Sequence, residues 1–186
     1  MHINSLYIQM KKKLPFIMCV MIGLLTFSCS DRNETSQDKN TYSIAYDIIP
    51  KFEKQDSYTY HYVQGFKNPL PNSNLILIYV QTNLTKNNSP IWNLLSYTEY
   101  PNNGADKVEY SNNSSKFDFE IIVRSTNGVN LDNKPEFYTN KKFRVIEVPA
   151  KTATYTYVPT TKVDYSDYNS VINYYNIDEL KIATKY

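Results

Sequence analysis

Hydrophobic and polar residues alternate in several short runs along most of the chain. "YSIAYDII" (residues 42–49) and "SYTYHYVQ" (residues 57–64) show this pattern, which is typical of strands with one covered face. The residues that share a face are Tyr42, Ile44, Tyr46 and Ile48 in the first run and Tyr58, Tyr60 and Tyr62 in the second. "NLILIYVQ" (residues 74–81) is apolar on both faces, which predicts a central strand covered on both sides.

Other runs predict further strands. "PIWNLLSYTEY" (residues 90–100) predicts one strand with a bulge, and "KKFRVIEVPA" (residues 141–150) predicts a strand ended by Pro149. "DKVEYS" and "KFDFEIIVRS" flank the turn-rich "NNSS" and predict a hairpin. The residues expected to point inward from this hairpin are Phe117, Phe119, Ile121 and Val123. "TATYTYV" (residues 152–158) predicts an edge strand.

One segment, "DYSDYNSVINYYNI" (residues 164–177), has apolar residues at helical spacing. Asp164 and Ser166 are its candidate caps. The apolar face comprises Tyr168, Val171, Ile172 and Tyr175. Together these elements predict an all-β fold, an antiparallel β-sandwich of about seven or eight strands with a short C-terminal helix that closes one end.

The N-terminal part of the chain has a different pattern. Three lysines at positions 11–13 precede a mostly apolar stretch at residues 14–28, which is the layout of a secretory signal peptide. The stretch is shorter than the roughly twenty apolar residues of a transmembrane helix. We therefore expect a signal peptide at residues 1–28, a polar tether at residues 29–40 and one β-sandwich domain at residues 41–186. The natural start is Met1 or Met10.

Removal of the signal peptide changes the charge of the chain. The 186 residues carry a formal net charge of +2 from 20 basic and 18 acidic side chains. Loss of the three lysines leaves 17 basic residues against 18 acidic ones, a net charge of about −1. No charge argument for nucleic-acid binding remains, and nucleic acid is not an expected partner.

Cys29 stands where the apolar stretch meets a polar tail, and four roles can be considered for it. The mature chain would hold this cysteine alone, because Cys19 is removed, so an internal disulfide or a zinc site lacks partners. A catalytic thiol in a polar tail would lack neighbours that lower its pKa. The preceding "LTFS" resembles a bacterial lipobox, although Thr26 stands where leucine is usual. Lipidation of Cys29 is the preferred interpretation, and a secreted protein with a free thiol is the alternative.

Lipidation would make the membrane the first partner of the protein. At about 0.8 kcal/mol per buried CH₂ group, two or three acyl chains anchor a protein stably where one does not. The tail "SDRNETSQDKN" (residues 30–40) has no apolar residue and would span roughly 17 to 20 Å as a flexible coil. The domain is therefore expected close above a membrane surface.

Candidate chemistry in the folded part is sparse. His61 could act as a base or ligand, but no partners follow from its spacing, and a solvent-facing or hydrogen-bonded strand residue is the simpler interpretation. Asp118 and Glu120 share a strand face and could serve in glycoside hydrolysis, or they could simply face solvent. No metal-binding or cofactor-binding motif is present in the sequence, and no catalytic residue is assigned.

Three features are candidates for structure or binding. Trp92, the only tryptophan, is expected in the core. Arg144 interrupts an apolar strand and is expected to form a bidentate pair with a carboxylate such as Glu147 or Asp118, with ligand binding as the second interpretation. The tyrosine stripe, which consists of Tyr58, Tyr60 and Tyr62 and would be extended by Tyr155 and Tyr157, could stack on sugar rings, form a protein interface or fill a sheet face.

The ordered series "SNLILIYV", "IWNLLSYTEY", "KFDFEIIVRS", "KKFRVIEVPA" and "VDYSDYNSVINYYNIDE" resembles an uncharacterised family of small lipoproteins from Bacteroidota-type Gram-negative bacteria. The resemblance covers residues 73–179. It implies no activity, so no catalytic residue is carried over from it. The family's collagen-like stretch after the lipidated cysteine is absent here, and "CSDRNE" is similar to signals that send such lipoproteins to the cell surface, with Arg32 interrupting the acidic run.

These observations favour a lipid-anchored, non-enzymatic protein of the cell envelope that is exported to the outer membrane and acts as a binding or structural module. Envelope proteins and glycans are its candidate partners. A carbohydrate-binding or adhesion role through the tyrosine stripe is the first alternative, and a glycan hydrolase is the second.

Overall fold

The structure, a computed structural model, describes residues 43–71, 74–149 and 163–185, which all belong to one compact unit. The predicted signal peptide, Cys29, the tether and the predicted edge strand at 152–158 lie outside the described residues. The strands, in chain order, are β1 (Ile44–Ile48), β2 (Glu53–Asp56), β3 (Thr59–Gly65), β4 (Leu75–Leu84), β5 (Pro90–Leu94), β6 (Tyr97–Glu99), β7 (Val108–Ser114), β8 (Asp118–Ser125), β9 (Phe143–Val148) and β10 (Ala183–Lys185). A helix, α1 (Tyr168–Tyr174), precedes β10, and short 3₁₀ turns span Asn102–Gly104, Leu131–Asn133, Pro135–Phe137 and Glu179–Lys181.

The prediction of a mostly β fold is therefore confirmed, but the strand number is not. Ten strands occur within the described residues, where about seven or eight were expected. The additional strands are short: β2 has four residues, and β6 and β10 have three each. The runs of β2 and β10 are too short to show an alternating pattern, whereas β6 lies within the strand predicted at residues 90–100.

The strands form two five-stranded sheets. The first sheet has the order β10-β1-β9-β4-β5, and the second has the order β2-β3-β8-β7-β6. All neighbouring strands are antiparallel except β1 and β10, which are parallel. The predicted hairpin is confirmed, since β7 and β8 pair across a turn in which Ser115 N–H donates to the Asp118 carbonyl at 2.8 Å.

One predicted strand was wrong in its extent. Residues 90–100 do not form a single bulged strand, because β5 pairs with β4 in the first sheet and β6 pairs with β7 in the second. The chain crosses between the sheets at residues 95–96, and Leu95 lies in the core there, its N–H donating to the Ile78 carbonyl at 2.9 Å. An apolar run looks the same whether it continues along one sheet or passes to another.

A cluster that we call the inner cluster draws buried side chains from both sheets. The first sheet contributes Tyr46, Ile48, Ile78, Val80, Phe143 and Val145, and the second contributes Tyr60, Val108, Tyr110, Phe119, Ile121 and Val123. The rings of Phe143 and Tyr110, which belong to different sheets, have centroids 6.3 Å apart. Three of the four hairpin residues expected to point inward are buried here, but Phe117 is exposed because it lies in the turn before β8 begins.

The opposite face of the first sheet carries a second buried cluster, which we call the helix-side cluster. It comprises Tyr79, Trp92, Ile146 and Val148 from the strands together with Tyr168, Val171 and Ile172 from α1. The predicted apolar face of the helix is thus confirmed. Its predicted position was wrong, because α1 covers a face of the first sheet and does not close an end. The cap is Asp167, whose carboxylate accepts from Asn169 N–H at 3.0 Å, and Asp164 instead forms a turn with Ser166.

Candidate functional site

Arg144 lies at the middle of the helix-side face of the first sheet. Its strand, β9, is the central strand of this sheet, and Arg144 is paired with Asp47 on β1 and with Tyr79 on β4. Side chains that are paired in this way lie side by side on one face. Because α1 and its flanking turns cover this face, Arg144 is only 6% exposed and Asp47 only 5%.

The guanidinium of Arg144 is held by three oxygen-bearing side chains. Its Nε donates to Asp47 Oδ1 at 2.7 Å and its Nη2 to Asp47 Oδ2 at 3.1 Å, a bidentate pair. Its Nη1 donates to Glu179 Oε2 at 2.9 Å and also to the Tyr168 hydroxyl. Tyr168 in turn donates to the same Glu179 oxygen at 2.7 Å.

Two aromatic rings enclose the same guanidinium. Its central carbon lies 4.3 Å from the ring centroid of Trp92 and 5.5 Å from that of Tyr168, within the range of cation–π attraction. Burial opposes the charge of Arg144, but the hydrogen bonds and negative charge of its neighbours outweigh burial and raise its pKa. Burial and the bond to Glu179 raise the pKa of Tyr168, so the phenol stays protonated. The result is a buried arginine whose charge is compensated by Asp47 and Glu179 and whose guanidinium packs on two aromatic rings.

Both aromatic residues also line a cleft of about 630 Å³. It is lined by Thr85, Ser89, Pro90, Ile91 and Trp92 from the hairpin of β4 and β5, by Ser166, Asp167, Tyr168 and Asn169 at the start of α1, and by Glu179. We refer to it as the hairpin-helix cleft. Three separate segments of the chain meet there, and its volume is typical of small-molecule sites, which measure about 300–1,000 Å³.

Hydrogen-bonding groups dominate the lining of the hairpin-helix cleft. Within the described part of the chain, Glu179 uses only Oε2, and Asp167 uses only Oδ1. The Nε1 of Trp92 is buried and finds no acceptor among the described residues. A buried donor without a partner costs about 1–3 kcal/mol. The site therefore offers acceptors at its carboxylates, whereas the Trp92 N–H has almost no solvent-accessible surface.

The tyrosine stripe does not form a flat exposed surface. Tyr60 is 7% exposed within the inner cluster, its ring stacked on Tyr138 at 3.9 Å, and its hydroxyl donates to Asp132 at 2.7 Å. Tyr62 is half-buried against the same cluster, and Tyr58 is exposed beside the strand. Tyr155 and Tyr157 lie outside the described residues. The structure thus places the predicted stripe mostly in the space between the sheets.

The other candidate residues lie apart from the cleft. His61 Nδ1 is 3.1 Å from Glu120 Oε1, and Glu120 also accepts from Asn113 at 3.1 Å, on the face of the second sheet turned away from the inner cluster. Asp118 accepts from Ser115 in the hairpin turn. In the described residues no group of three His, Cys, Asp or Glu side chains could hold a metal ion. No helix in the described ranges is long and apolar enough to cross a membrane.

Trp92, expected in the core, and Arg144, expected in a bidentate pair, both lie in buried positions, but the carboxylate that pairs with Arg144 is not one of those expected. Arg144 pairs with Asp47, not with Glu147 or Asp118. Glu147 is three residues further along the same strand and so points to the opposite face, and Asp118 belongs to the second sheet. The signal available for Asp47 was its position as the only charge within the apolar run "IAYDII". Asp167 and Glu179 gave no such signal, because they lie in polar segments.

Comparison with known proteins assigns neither a family nor a function to the chain. No family model matches the chain, and neither the curated proteins nor the solved structures include a significant match to it.

Proposed function

We propose that the protein is an exported lipoprotein, anchored to the outer membrane through Cys29, whose β-sandwich domain is a non-catalytic binding module of the cell envelope. The anchor is supported by the order of features in the N-terminal sequence: a lysine cluster, a short apolar stretch and a cysteine followed by polar residues. The sandwich architecture is supported by the inner cluster, to which both sheets contribute. Membership in the lipoprotein family named above is part of this proposal and rests on the quoted series of segments.

The observation that carries the binding role is the hairpin-helix cleft. It is built on the first sheet, over a buried network in which Arg144, Asp47 and Glu179 fix one another. A site supported by such a network is held in one geometry before a ligand arrives, which lowers the entropy lost on binding. We therefore propose the cleft, and not the tyrosine stripe, as the ligand-binding surface.

Binding is favoured over hydrolysis because the ionisable groups near the cleft are already engaged with one another. Glu179 accepts two hydrogen bonds from the protein through one oxygen, and Asp167 caps α1. A carboxylate that caps a helix or pairs with a buried arginine is needed for stability. To act as a general acid or nucleophile, it would have to break those hydrogen bonds.

Fractionation of cells tests the anchor. We expect Cys29→Ala to move the protein from the membrane fraction to the soluble fraction, because no acyl chain could then be attached. Cys19→Ala is the matched control and should leave the protein in the membrane fraction, since Cys19 belongs to the segment expected to be removed. Continued membrane association of Cys29→Ala would contradict the proposal.

A further inference from the structure

We infer that Asn127 is a site of spontaneous deamidation in the folded protein. It precedes Gly128, and the sequence contains one further Asn-Gly pair, Asn103-Gly104. The same reactive dipeptide therefore occurs in two structural settings, and the fold leaves the first pair open to the reaction while it protects the second. The inference concerns a covalent modification and depends neither on the lipid anchor nor on the hairpin-helix cleft.

The reaction needs only the asparagine, the glycine after it and water. The backbone nitrogen of Gly128 attacks the side-chain carbon Cγ of Asn127, forms an N–C bond and loses its proton, while the bond from Cγ to Nδ2 breaks and ammonia leaves. Water then opens the five-membered succinimide at one of its two carbonyl carbons, which gives aspartate or isoaspartate without a change of oxidation state. Glycine favours the ring closure because it has no Cβ to crowd the attack or to restrict the backbone.

Two features of the fold control this attack. A glycine N–H that already donates a hydrogen bond must first be released, which costs free energy. The backbone between asparagine and glycine must also rotate, because ring closure brings the glycine nitrogen within bonding distance of the side-chain carbon. An Asn-Gly pair is therefore protected where hydrogen bonds fix the peptide that joins the two residues.

Such bonds are present at Asn103. It lies in a 3₁₀ turn with left-handed backbone angles, φ 56° and ψ 31°. Gly104 N–H donates to the Pro101 carbonyl at 3.1 Å. The next N–H group, that of Ala105, donates to the Asn102 carbonyl at 3.2 Å. Rotation of the peptide between Asn103 and Gly104 would break both bonds.

The backbone around Asn127 has no such bonds. Asn127 and Gly128 are both exposed, and residues 126–130 belong to no helix or strand. Among the described residues, no acceptor receives the N–H of Gly128, and the flanking backbone groups that do donate belong to Thr126 and Leu131. The nitrogen of Gly128 is thus free to react, and the peptide before it can rotate without loss of a hydrogen bond.

The modification would change a contact between two loops of the second sheet. Asn127 Nδ2 donates to the Ala105 carbonyl at 3.4 Å, which links the segment after β8 to the segment before β7. Aspartate and isoaspartate have no amide donor, and each adds one negative charge near that carbonyl oxygen. The deamidated protein would therefore be more acidic and would lack this contact.

Peptide mapping by tandem mass spectrometry measures both reactions in one sample. The full-length protein, purified in detergent, is kept folded in mildly alkaline buffer, and aliquots are digested with trypsin over time. Lys107 and Arg124 place the two Asn-Gly pairs in different tryptic peptides. We expect Asn127 to react at least about tenfold faster than Asn103, equivalent to about 1.4 kcal/mol, because two backbone bonds must break at Asn103.

Protein unfolded in guanidinium chloride is the reference for the effect of sequence alone. Both pairs have glycine after asparagine, so their rates in the unfolded chain should agree within about twofold. A pair of variants tests the site in the intact protein by isoelectric focusing. Asn127→Gln should abolish most of the acidic shift, since glutamine would have to close a larger ring. Asn103→Gly, which keeps a residue that tolerates positive φ, is the control and should leave the shift in place.

Three results would overturn the inference. The first is an unmodified Asn127 in the folded protein after the unfolded sample has reacted fully. The second is a ratio of the two rates that is the same in folded and unfolded protein, because the fold would then have no part in the selectivity. The third is an acidic shift that persists in Asn127→Gln. Circular dichroism of each variant establishes that the folded state is being compared.

Discussion

At the scale of single residues, Arg144 places a full positive charge in an apolar layer between a sheet and a helix. The ionic groups that compensate it come from distant parts of the sequence: Asp47 from β1 and Glu179 from the 3₁₀ turn after α1. Lys142 Nζ is also 3.9 Å from Asp47 Oδ2, at the edge of the network. Burying such a pair costs desolvation free energy that its attraction only partly offsets. Removal of one partner is strongly destabilising, because the other charge is then buried without a partner.

We predict that Arg144→Met lowers the free energy of unfolding by about 3–5 kcal/mol, because Asp47 is then a buried charge without its bidentate partner. Urea unfolding followed by circular dichroism measures the change. Arg124→Met, at an exposed position on β8, is the matched control and should change stability by less than about 0.5 kcal/mol. The double variant Asp47→Asn/Arg144→Met should be more stable than Arg144→Met alone, since the unpaired charge that remains, on Glu179, is partly exposed to solvent. Equal stability of the two single arginine variants would contradict the structural role of the network.

At the scale of secondary-structure elements, α1 is held by side chains more than by its own length. A helix of seven residues is unstable in isolation, and it forms here because Val171 and Ile172 are buried against the first sheet. Asp167 caps its first turn, and the Tyr79 hydroxyl donates to the Tyr165 carbonyl at 2.8 Å just before it. These contacts also shape one wall of the hairpin-helix cleft.

Ile172→Ala is therefore expected to destabilise the protein by about 2–3 kcal/mol, the lower part of the range for such truncations because the side chain is partly accessible. Asn173→Ala, at the next and exposed position, should have almost no effect. Urea unfolding followed in parallel by Trp92 fluorescence and by circular dichroism is the measurement. Because Glu179 ties the segment after α1 to β9, we expect the two signals to change together. A fluorescence transition at clearly lower urea would mean that α1 detaches separately.

The elements also show which parts of this structure follow from local sequence. The two covered faces of β4, the hairpin of β7 and β8, and the apolar face of α1 were all predictable, since each depends on periodicity within one segment. The division of residues 90–100 between two sheets, the parallel pairing of β10 with β1 and the bond between Arg144 and Asp47 were not. These features depend on which strands become neighbours and in what register, and no single segment contains that information.

The candidate site also has parts that could be predicted from the sequence and parts that could not. Trp92 and Arg144 could be expected in buried positions because each is unusual in its segment, a single tryptophan and a charge in an apolar strand. The cleft could not be predicted, because its lining comes from a hairpin and, more than seventy residues later in the sequence, from a helix start and a turn. The tyrosine stripe illustrates the opposite case, since alternation placed Tyr60 and Tyr62 on one face but could not say that the face is covered.

At the scale of the whole molecule, the described structure has two buried clusters on opposite faces of the first sheet. The inner cluster joins the two sheets, and the helix-side cluster joins the first sheet to α1. Tyrosines are prominent in both: Tyr46, Tyr60 and Tyr110 lie in one, and Tyr79 and Tyr168 lie in the other. These tyrosines are at most 8% exposed, so both clusters depend on their phenols staying protonated.

Burial is the largest cause that raises the pKa of Tyr46, to about 12, with a smaller contribution from the charge of Glu147. Burial also raises the pKa values of Tyr79, Tyr110 and Tyr168. In the unfolded chain a tyrosine titrates near pH 10. A pKa that is higher in the folded state contributes stability that is complete below about pH 10 and is lost as the pH rises through the folded value. The protein should therefore unfold at alkaline pH as the buried tyrosines of both clusters ionise.

We predict two stages in an alkaline titration followed by tyrosinate absorbance. Tyrosines that are open to solvent ionise first, near the pH 10 of an ordinary phenol, and the buried ones ionise together at higher pH as circular dichroism reports unfolding. Tyr46→Phe should move the unfolding midpoint to higher pH because it removes one ionisable phenol from the inner cluster, while Tyr58→Phe should leave the midpoint in place. Protein unfolded in urea provides the reference, with all tyrosines titrating in one stage. Complete ionisation near pH 10 without loss of the folded signal would show that the tyrosines are open to solvent, and it would contradict the assignment of Tyr60 and Tyr62 to the covered face of the second sheet.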